Sequence, residues 1–339
     1  MNLKWNLLSK YRGELCGISI LWVMLFHLTE IKKNKLPYVL QDVYGFLVHG
    51  NLGVEIFLFL SGMGLFYSLK NANDINGFYG KRIKKIFFPY LLISGTYFFI
   101  NNILISNNVI LFFKNITMYS FWAEGNRAVW FICIIVPLYI AYPFLHKYIF
   151  EQKKALLWVC LTIFLLYVGI YFLKICDLKA YVKIEIALTR IPIFLSGCYF
   201  GKLSYENKEL SIRDKVLILL FVVMGLYAFD HKNFSLLTWK LMRIPYFILG
   251  IVFPWFFVIL LEFINSNKLN KLLCWIGGMS LELYLSHVAL EFTLIKTSIW
   301  KTTPNGIYLF IYFVIIGSFL VSILVSKYLV PCINGRLLK

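Results

Sequence analysis

His27 is a residue whose type and setting could do chemistry. It lies near the end of the apolar stretch GISILWVMLFHLT (17–29), and ionisable side chains inside apolar helices are costly enough to be candidates for function. A neutral imidazole can accept the proton of a hydroxyl group, which is the work of a general base. The residues leave a second interpretation open, because Thr29 and Glu30 follow at once and suit a histidine at the level of lipid headgroups.

The segment GVEIFLFLSG (53–62) places a carboxylate, Glu55, among strongly apolar residues. Such a group must be ion-paired, hydrogen-bonded or protonated. We predict that Glu55 orients His27 or an acceptor hydroxyl, and a structural ion pair with an arginine is equally compatible with the sequence. Ser61 is a candidate for stabilising an oxyanion. Gly62 permits close approach, either by an acyl chain or by a neighbouring helix.

Basic residues precede the third apolar stretch of the chain. Arg82, Lys84 and Lys85 suit the phosphate groups of a nucleotide-like cofactor. They also suit lipid headgroups and the retention of positively charged loops in the cytoplasm, and composition alone favours that second interpretation.

Two arginines open similar segments, TRIPIFLSG (189–197) and MRIPYFILG (242–250). Paired segments of this kind can form the walls of a binding cavity in transporters, which makes Arg190 and Arg243 candidates for contact with a substrate. The alternative is an interfacial arginine beside a proline in the first turn of a helix.

A second histidine, His287, lies in the segment GGMSLELYLSHVAL (277–290). Glu291 follows it by four residues and therefore shares its helix face. The two are either part of a site or a satisfied pair in the core. Trp130 opens another apolar segment, and its position is typical of an aromatic anchor at the membrane interface.

These candidates have to be positioned by helices that lie in a membrane. Of the residues, 60% are hydrophobic and 15% are charged, whereas a soluble domain carries about 25% charged residues. Apolar runs of about 20 residues recur along the chain, and lipid leaves backbone groups no partners outside a helix. The sequence predicts an all-α, polytopic transmembrane bundle of about ten helices. They are predicted near 15–30, 45–69, 86–106, 127–149, 155–173, 184–201, 215–230, 243–264, 274–295 and 307–330.

The net charge of +18 comes from Lys and Arg residues that are spread over short loops. This distribution indicates contact with anionic lipid and control of topology rather than nucleic-acid binding. Lys and Arg are more frequent on the side that holds both termini, so we predict both termini in the cytoplasm. The seven cysteines form no CxxC pair and lie mostly in apolar runs, which argues against a disulfide framework or a zinc site.

Five segments, in chain order, resemble the motifs of the acyltransferase-3 family of bacterial membrane O-acyltransferases. They are CGISILWVMLFH (16–27), GVEIFLFLSG (53–62), FYGKRIKKIFFPY (78–90), VWFICIIVPLYIAYP (129–143) and SLELYLSH (280–287). The resemblance covers nearly the whole chain and is closer to the smaller branch, which lacks a fused soluble domain. It implies one integral-membrane acyltransferase domain over residues 1–339, in the bacterial cytoplasmic membrane.

The resemblance also implies transfer of an acyl group, usually acetyl, from acyl-CoA to a hydroxyl of a surface glycan or a lipid-linked sugar. Carried over by position, His27 becomes the catalytic histidine, and Glu55 and Ser61 become supporting residues of the catalytic site. Acetyl-CoA is then a co-substrate that binds near Arg82 and Lys85, and no metal is implied. We predict contacts with the acceptor for Trp130, Arg190, Arg243 and His287.

Two departures from the family pattern bear on the site. The family's arginine position, eleven residues before the histidine, holds Cys16 here. Arg12, one helical turn earlier, lies on nearly the same stripe and is predicted to take its place beside acetyl-CoA. The basic pair is Arg82 and Lys85 rather than two arginines, so bidentate gripping of phosphate is lost at one position.

A different class of function, a multi-pass transporter or exporter of a lipid-linked glycan, is supported by the membrane topology and by the paired Arg-Ile-Pro segments. It predicts movement of a substrate without covalent change and indifference to acetyl-CoA. A non-catalytic membrane scaffold is a third class, and it would tolerate substitution of His27 and Arg82 together.

Overall fold

The protein is helical throughout the part that the structure describes. The computed structural model describes residues 4–30, 36–72, 74–207, 209–212, 215–216, 218–220, 222–223, 227, 243–297 and 306–336. Within these ranges there is no β-strand, and an isolated bridge pairs Lys4 with Glu209. The all-α prediction is confirmed, and its physical reason is that a helix satisfies its own backbone groups where lipid cannot.

The helices follow one another with short connections. They are α1 (Asn6–Lys10), α2 (Arg12–His27), α3 (Tyr38–Asp42), α4 (Tyr44–Leu47), α5 (Leu52–Lys70), α6 (Ile75–Ile105), α7 (Val109–Ile116), α8 (Trp130–Phe150), α9 (Ala155–Cys176), α10 (Leu178–Leu188), α11 (Ile191–Tyr205), α12 (Ile244–Ile264), α13 (Asn267–Gly278), α14 (Ser280–Thr297) and α15 (Gly306–Ile333). π-Helical turns widen α6 at Leu91–Gly95 and Phe99–Ile105 and end α8 at His146–Phe150.

Seven helices in the described residues are long and apolar enough to cross a bilayer, counting α10 and α11 together. The count reaches eight if α13 and α14 form one broken span. The chain is therefore a multi-pass membrane protein. The count of ten helices and the cytoplasmic position of both termini stay predictions, and the helix predicted over 215–230 lies mostly outside the described residues.

Two helices show how burial is distributed. In α5, 72% of the apolar 18-residue stretch is buried inside the protein, whereas in α9 the share is 11%. Leu157, Phe164 and Phe172 of α9 are all exposed. An apolar surface of this size marks contact with lipid or with another protein, and the length of α9 matches a bilayer span. α5 is thus a central helix, and α9 presents its side chains to lipid.

The chain divides into two compact units, each described here by itself. The first unit comprises Met1–Ser19, Leu52–Phe78 and Phe131–Gly277, and the second comprises Ile20–Asn51, Tyr79–Trp130 and Gly278–Lys339. Helix α2 begins in the first unit and ends in the second. The single domain over 1–339 stays a prediction.

Small residues bring α5 and α11 together in the first unit. A Cβ atom at Gly62 would overlap the backbone carbonyl oxygen of Phe194, and one at Gly197 would overlap that of Phe59. Gly197 and Gly201 have the four-residue spacing that lets membrane helices approach closely. Of the two interpretations of Gly62, contact with a neighbouring helix is therefore the one observed.

Hydroxyl groups join α14 to α15 in the second unit. The Ser286 hydroxyl donates to the carbonyl oxygen of Ser318 (3.2 Å), and its oxygen lies 3.0 Å from the hydroxyl oxygen of Ser322. In a membrane, where apolar contact distinguishes little between protein and lipid, such hydrogen bonds add to helix association. The serines hold α14 in place, and α14 carries His287 and Glu291.

Candidate active site

His27 meets a carboxylate from a distant part of the chain. It is the last residue of α2, and its Nδ1 lies 3.3 Å from Oε2 of Glu291 on α14. Glu291 is buried, whereas the His27 side chain is 27% exposed. At this distance a carboxylate is able to stabilise an imidazolium, so the contact would become an ion pair on protonation of the ring.

His287 forms the other side of this cluster. It lies one helical turn before Glu291, and its ring centroid is 5.1 Å from that of His27. Its Nδ1 lies 2.8 Å from the carbonyl oxygen of Leu283, and because a carbonyl can only accept, Nδ1 is the protonated nitrogen. Nε2 is then a buried acceptor with no hydrogen-bond partner among the described residues. We refer to His27, His287 and Glu291 as the histidine cluster.

The sequence predicted one of the two relations within the histidine cluster. The four-residue spacing places His287 and Glu291 on one face of α14, as predicted. The sequence gives no sign that Glu291 pairs with His27, because the two are more than 260 residues apart and no local pattern links them. The sequence did indicate that Glu291 needs a partner, because leaving a carboxylate unpaired inside an apolar helix is costly.

The basic residues of α6 lie near the start of α14. Arg82 is half-buried, Lys85 is exposed, and Lys85 is close enough to Glu282 for their charges to interact. Glu282 precedes Glu291 by nine residues, which is about 13 Å along the helix axis and half a turn around it, so the two carboxylates lie on opposite faces of α14. Lys85 therefore lies near the start of α14, and the histidine cluster lies further along this helix on its other side.

A small cavity lies beside α14, with an open mouth and an inner space of about 10 Å³, the size that holds one water molecule. It is lined by Ser94, Tyr97, Ala128, Val129, Leu285, Val288 and Ala289. The wall is mostly apolar, and the lining residues of α14 fall between the levels of Glu282 and Glu291. Neither histidine lines this cavity, because Leu285, Val288 and Ala289 project from a neighbouring face of the helix. Trp130 is half-buried directly after Val129, and its role as anchor or acceptor contact stays open.

Glu55 lies in the first unit, between two arginines. Its Oε1 is 3.0 Å from Nε of Arg190 and 2.9 Å from Nη2 of Arg243. Each arginine immediately precedes a helix, α11 or α12, that carries proline in its first turn. Glu55 therefore forms the ion pair that was one of its two interpretations, and it does so with two arginines. The two Arg-Ile-Pro segments meet at this one carboxylate.

Arg12 and Ser61 also lie in the first unit, against α5 and α8. Nε of Arg12 donates to the carbonyl oxygen of Leu60 (3.1 Å), and its guanidinium lies against Gly64. The Ser61 hydroxyl is hydrogen-bonded to the Tyr139 hydroxyl, a partner that the sequence did not indicate. The roles of Arg12 with acetyl-CoA and of Ser61 with an oxyanion stay predictions.

Comparison with known proteins identifies the family. The model of the acyltransferase-3 family, described as an acyltransferase domain, matches residues 17–327. A protein of Acidianus two-tailed virus, named "Putative acetyltransferase ORF330", is 22% identical over 290 residues, which are 82% of this chain and 82% of that protein. No solved structure matches the chain. The family model covers most of the chain, so this multi-pass membrane protein belongs to the acyltransferase-3 family and is an acyltransferase.

Proposed function

We propose that the protein is an O-acetyltransferase that moves an acetyl group from acetyl-CoA to a hydroxyl of a cell-surface sugar or polysaccharide. The observation that carries this proposal is the contact of His27 with the buried carboxylate of Glu291, beside the ring of His287. His27 is the general base. The protein is expected in the bacterial cytoplasmic membrane, with both termini in the cytoplasm.

The histidine cluster has the groups that such a transfer needs. His27 takes the proton of the acceptor hydroxyl while the hydroxyl oxygen attacks the thioester carbonyl carbon. A C–O bond forms, the C–S bond breaks, and the proton on His27 passes to the departing thiolate of CoA. Glu291 stabilises the imidazolium between these two proton transfers. Holding both substrates in place supplies a further part of the rate enhancement.

Acetyl-CoA fits the arrangement along α14. Its phosphates bind at Arg82 and Lys85, and its arm rises about 13 Å along α14 and passes half a turn around it to reach the histidine cluster. The small apolar cavity that includes Leu285 and Val288 lies at this level of the helix, and it has to widen for the uncharged arm to enter. Arg82 offers a planar fork to phosphate and Lys85 a point charge, so Arg82 makes the more directional contact.

The test compares envelope glycans from cells with wild-type protein, with no protein and with the His27→Ala variant. We expect the variant to lose the acetyl group from the glycan, as the deletion does, at unchanged abundance in the membrane. Mass spectrometry of the glycan measures the acetyl increment. His49→Ala is the matched control, because His49 lies in the same unit outside the histidine cluster and should leave acetylation intact. Full acetylation in the His27 variant would refute the base assignment.

A transporter or exporter of a lipid-linked glycan is the second candidate. The meeting of Arg190 and Arg243 at Glu55 favours it, because charged groups inside a membrane protein also mark substrate pathways. The same glycan comparison separates the two functions. An exporter predicts less glycan at the surface with an unchanged acetyl content, whereas the transferase predicts the same glycan without acetyl.

A further inference from the structure

Four polar side chains of the first unit lie around Glu55. We call Glu55, Tyr167, Arg190, Arg243 and Tyr246 the arginine cluster. Glu55 is 2% exposed and binds both arginines through one oxygen, Oε1. The guanidinium carbon of Arg243 lies 4.1 Å from the centre of the Tyr246 ring, and this contact holds the planar guanidinium group in place. Tyr167 on α9 is close enough to feel the charge of Glu55.

The arginine cluster leaves three buried polar atoms unsatisfied. Oε2 of Glu55, Nε of Arg243 and the Tyr167 hydroxyl have no hydrogen-bond partner among the described residues. Buried polar groups in folded proteins are nearly always paired, and a buried carboxylate with one idle oxygen is a costly exception. A purely structural ion pair would be expected to use both oxygens. The idle atoms comprise a cationic donor, an anionic acceptor and a hydroxyl.

The backbone at Arg243 supports the same interpretation. Arg243 has φ of 61°, in the left-handed region that a residue with a side chain rarely adopts. This conformation costs about 1–3 kcal/mol and persists where surrounding contacts demand it, often at ligand-binding positions. The strain brings the guanidinium onto Glu55 and Tyr246.

The charges in the arginine cluster limit the chemistry of a ligand. Guanidinium groups prefer oxyanions, and Nε of Arg243 is available to donate to one. A dianion is disfavoured, because Glu55 lies beside the arginines and Glu185 on α10 is also within range of Arg190. Oε2 of Glu55 requires a donor, which a ligand hydroxyl supplies. One ligand satisfies all three idle atoms if it carries a single negative charge and a neighbouring hydroxyl.

We propose that the arginine cluster is a binding site for a monoanionic polyol, a carboxylate or phosphodiester with a hydroxyl next to it. The oxyanion binds Arg243 and the hydroxyl donates to Oε2 of Glu55, with Tyr167 completing the contacts. Two sources carry this chemistry, a sugar acid within a glycan and a glycerol-phosphate lipid headgroup. The site takes no part in acetyl transfer itself. It would bind the negative charge of the ligand, in addition to the binding of a sugar that the proposed function requires.

The first experiment measures thermal unfolding of the full-length protein in detergent with D-glucuronate, D-glucose or chloride at equal ionic strength. Glucuronate is expected to raise the unfolding midpoint by about 2 °C or more, because a ligand that binds the folded state alone stabilises it. Glucose lacks the carboxylate and is expected to have no such effect. Equal shifts with glucuronate and glucose, or no shift with either glucuronate or phosphatidylglycerol, would overturn the proposal.

Variants at Arg243 test whether the response arises at the arginine cluster. Arg243→Asn keeps a residue that tolerates positive φ and is expected to weaken glucuronate binding about 10- to 100-fold, the usual worth of a hydrogen bond to a charged group. Arg243→Lys keeps the charge without the fork and is expected to be intermediate. Lys10→Gln, which breaks a surface pair with Glu262 in the same unit, is the matched control and should bind normally. Unaltered binding in both Arg243 variants would place the ligand elsewhere and refute the site.

Lipid separates the two sources of the ligand. If phosphatidylglycerol, compared with phosphatidylcholine, stabilises the protein and displaces glucuronate, the headgroup is the occupant. If it does not displace glucuronate, a sugar acid is the occupant. His27→Ala is expected to keep the glucuronate response while it loses acetylation. A protein that acetylates glycans but shows no response to either monoanion would contradict this inference and leave the transferase proposal standing.

Discussion

At the scale of single residues, the chemistry depends on what a buried charge does to the group beside it. Glu291 is buried, and its Oε2 lies 3.3 Å from Nδ1 of His27. The Leu283 carbonyl accepts from Nδ1 of His287 and so fixes the tautomer of the neutral ring, whose Nε2 is then an acceptor. The two histidines therefore differ: among the described residues His27 has a carboxylate against its ring, and a proton taken up by His27 in the proposed reaction is stabilised by it.

Replacing Glu291 with glutamine tests this asymmetry. The change keeps the size of the side chain and removes its charge, so His27 loses the stabilisation of its imidazolium. We expect kcat to fall about 10²-fold or more with little change in the KM for acetyl-CoA. The measurement is release of CoA thiol by membranes supplied with acetyl-CoA and the glycan fraction.

Glu124→Gln serves as the control for that measurement. Glu124 lies in the same unit, in a surface pair with Lys114 (2.7 Å), and exposed pairs of this kind contribute little. Its activity should match the wild type. If Glu291→Gln keeps wild-type kcat as well, the carboxylate has no part in the proton transfer.

At the scale of elements, the positions at which helices begin and the small residues between them determine which side chains come into contact. α5, α11 and α12 begin near the level of Glu55, which lets one carboxylate bind two arginines that precede different helices. Close packing through Gly62 and Gly197 fixes the position of α11 against α5. The same contacts that bury the helices therefore position the arginine cluster.

Gly197→Ala should disturb this packing. A methyl group there would overlap the backbone of Phe59, which cannot move aside as a side chain could, and overpacking of this kind costs about 1–3 kcal/mol. The expected result is a lower unfolding midpoint in detergent. Gly169→Ala is the matched control, because a Cβ atom at Gly169 meets nothing within 4 Å and alanine favours the helix. Equal midpoints for the two variants would show that α5 and α11 tolerate a wider separation.

At the scale of the whole molecule, the membrane determines which surfaces are apolar and where positive charge collects. α9 is apolar along its length and mostly exposed, as a helix that faces lipid must be. The 34 Lys and Arg residues are spread along the chain, in loops and near the ends of helices, where positive charge controls topology. Both features follow from the bilayer as solvent rather than from the chemistry of the site.

Reporter fusions test the topology. If both termini are cytoplasmic, a fluorescent protein fused after Lys339 should fluoresce, and alkaline phosphatase fused there should be inactive, because it matures only outside the cytoplasm. A fusion in the predicted outer loop, after Tyr38, should give the opposite pattern. An active phosphatase at the C-terminus would reverse the predicted orientation.

The sequence by itself determined the all-helical, multi-pass class of the protein and the set of candidate residues. Hydropathy and helical spacing are local properties, so the helices predicted near 155–173 and 243–264 are observed as Ala155–Cys176 and Ile244–Ile264. The same locality explains why the shared face of His287 and Glu291 was predictable. The cost of a buried charge likewise identified Glu55 as a residue in need of a partner.

Only the tertiary structure decided which partner each of these residues has. Glu55 required a cation, and any of several arginines would have met that requirement. Arg243, 188 residues away, meets it together with Arg190, because the glycine contacts between α5 and α11 and the start of α12 bring those helix ends together. Glu291 pairs with His27 for the same kind of reason. The demand for a partner is a property of the residue, whereas the choice of partner depends on how the helices pack.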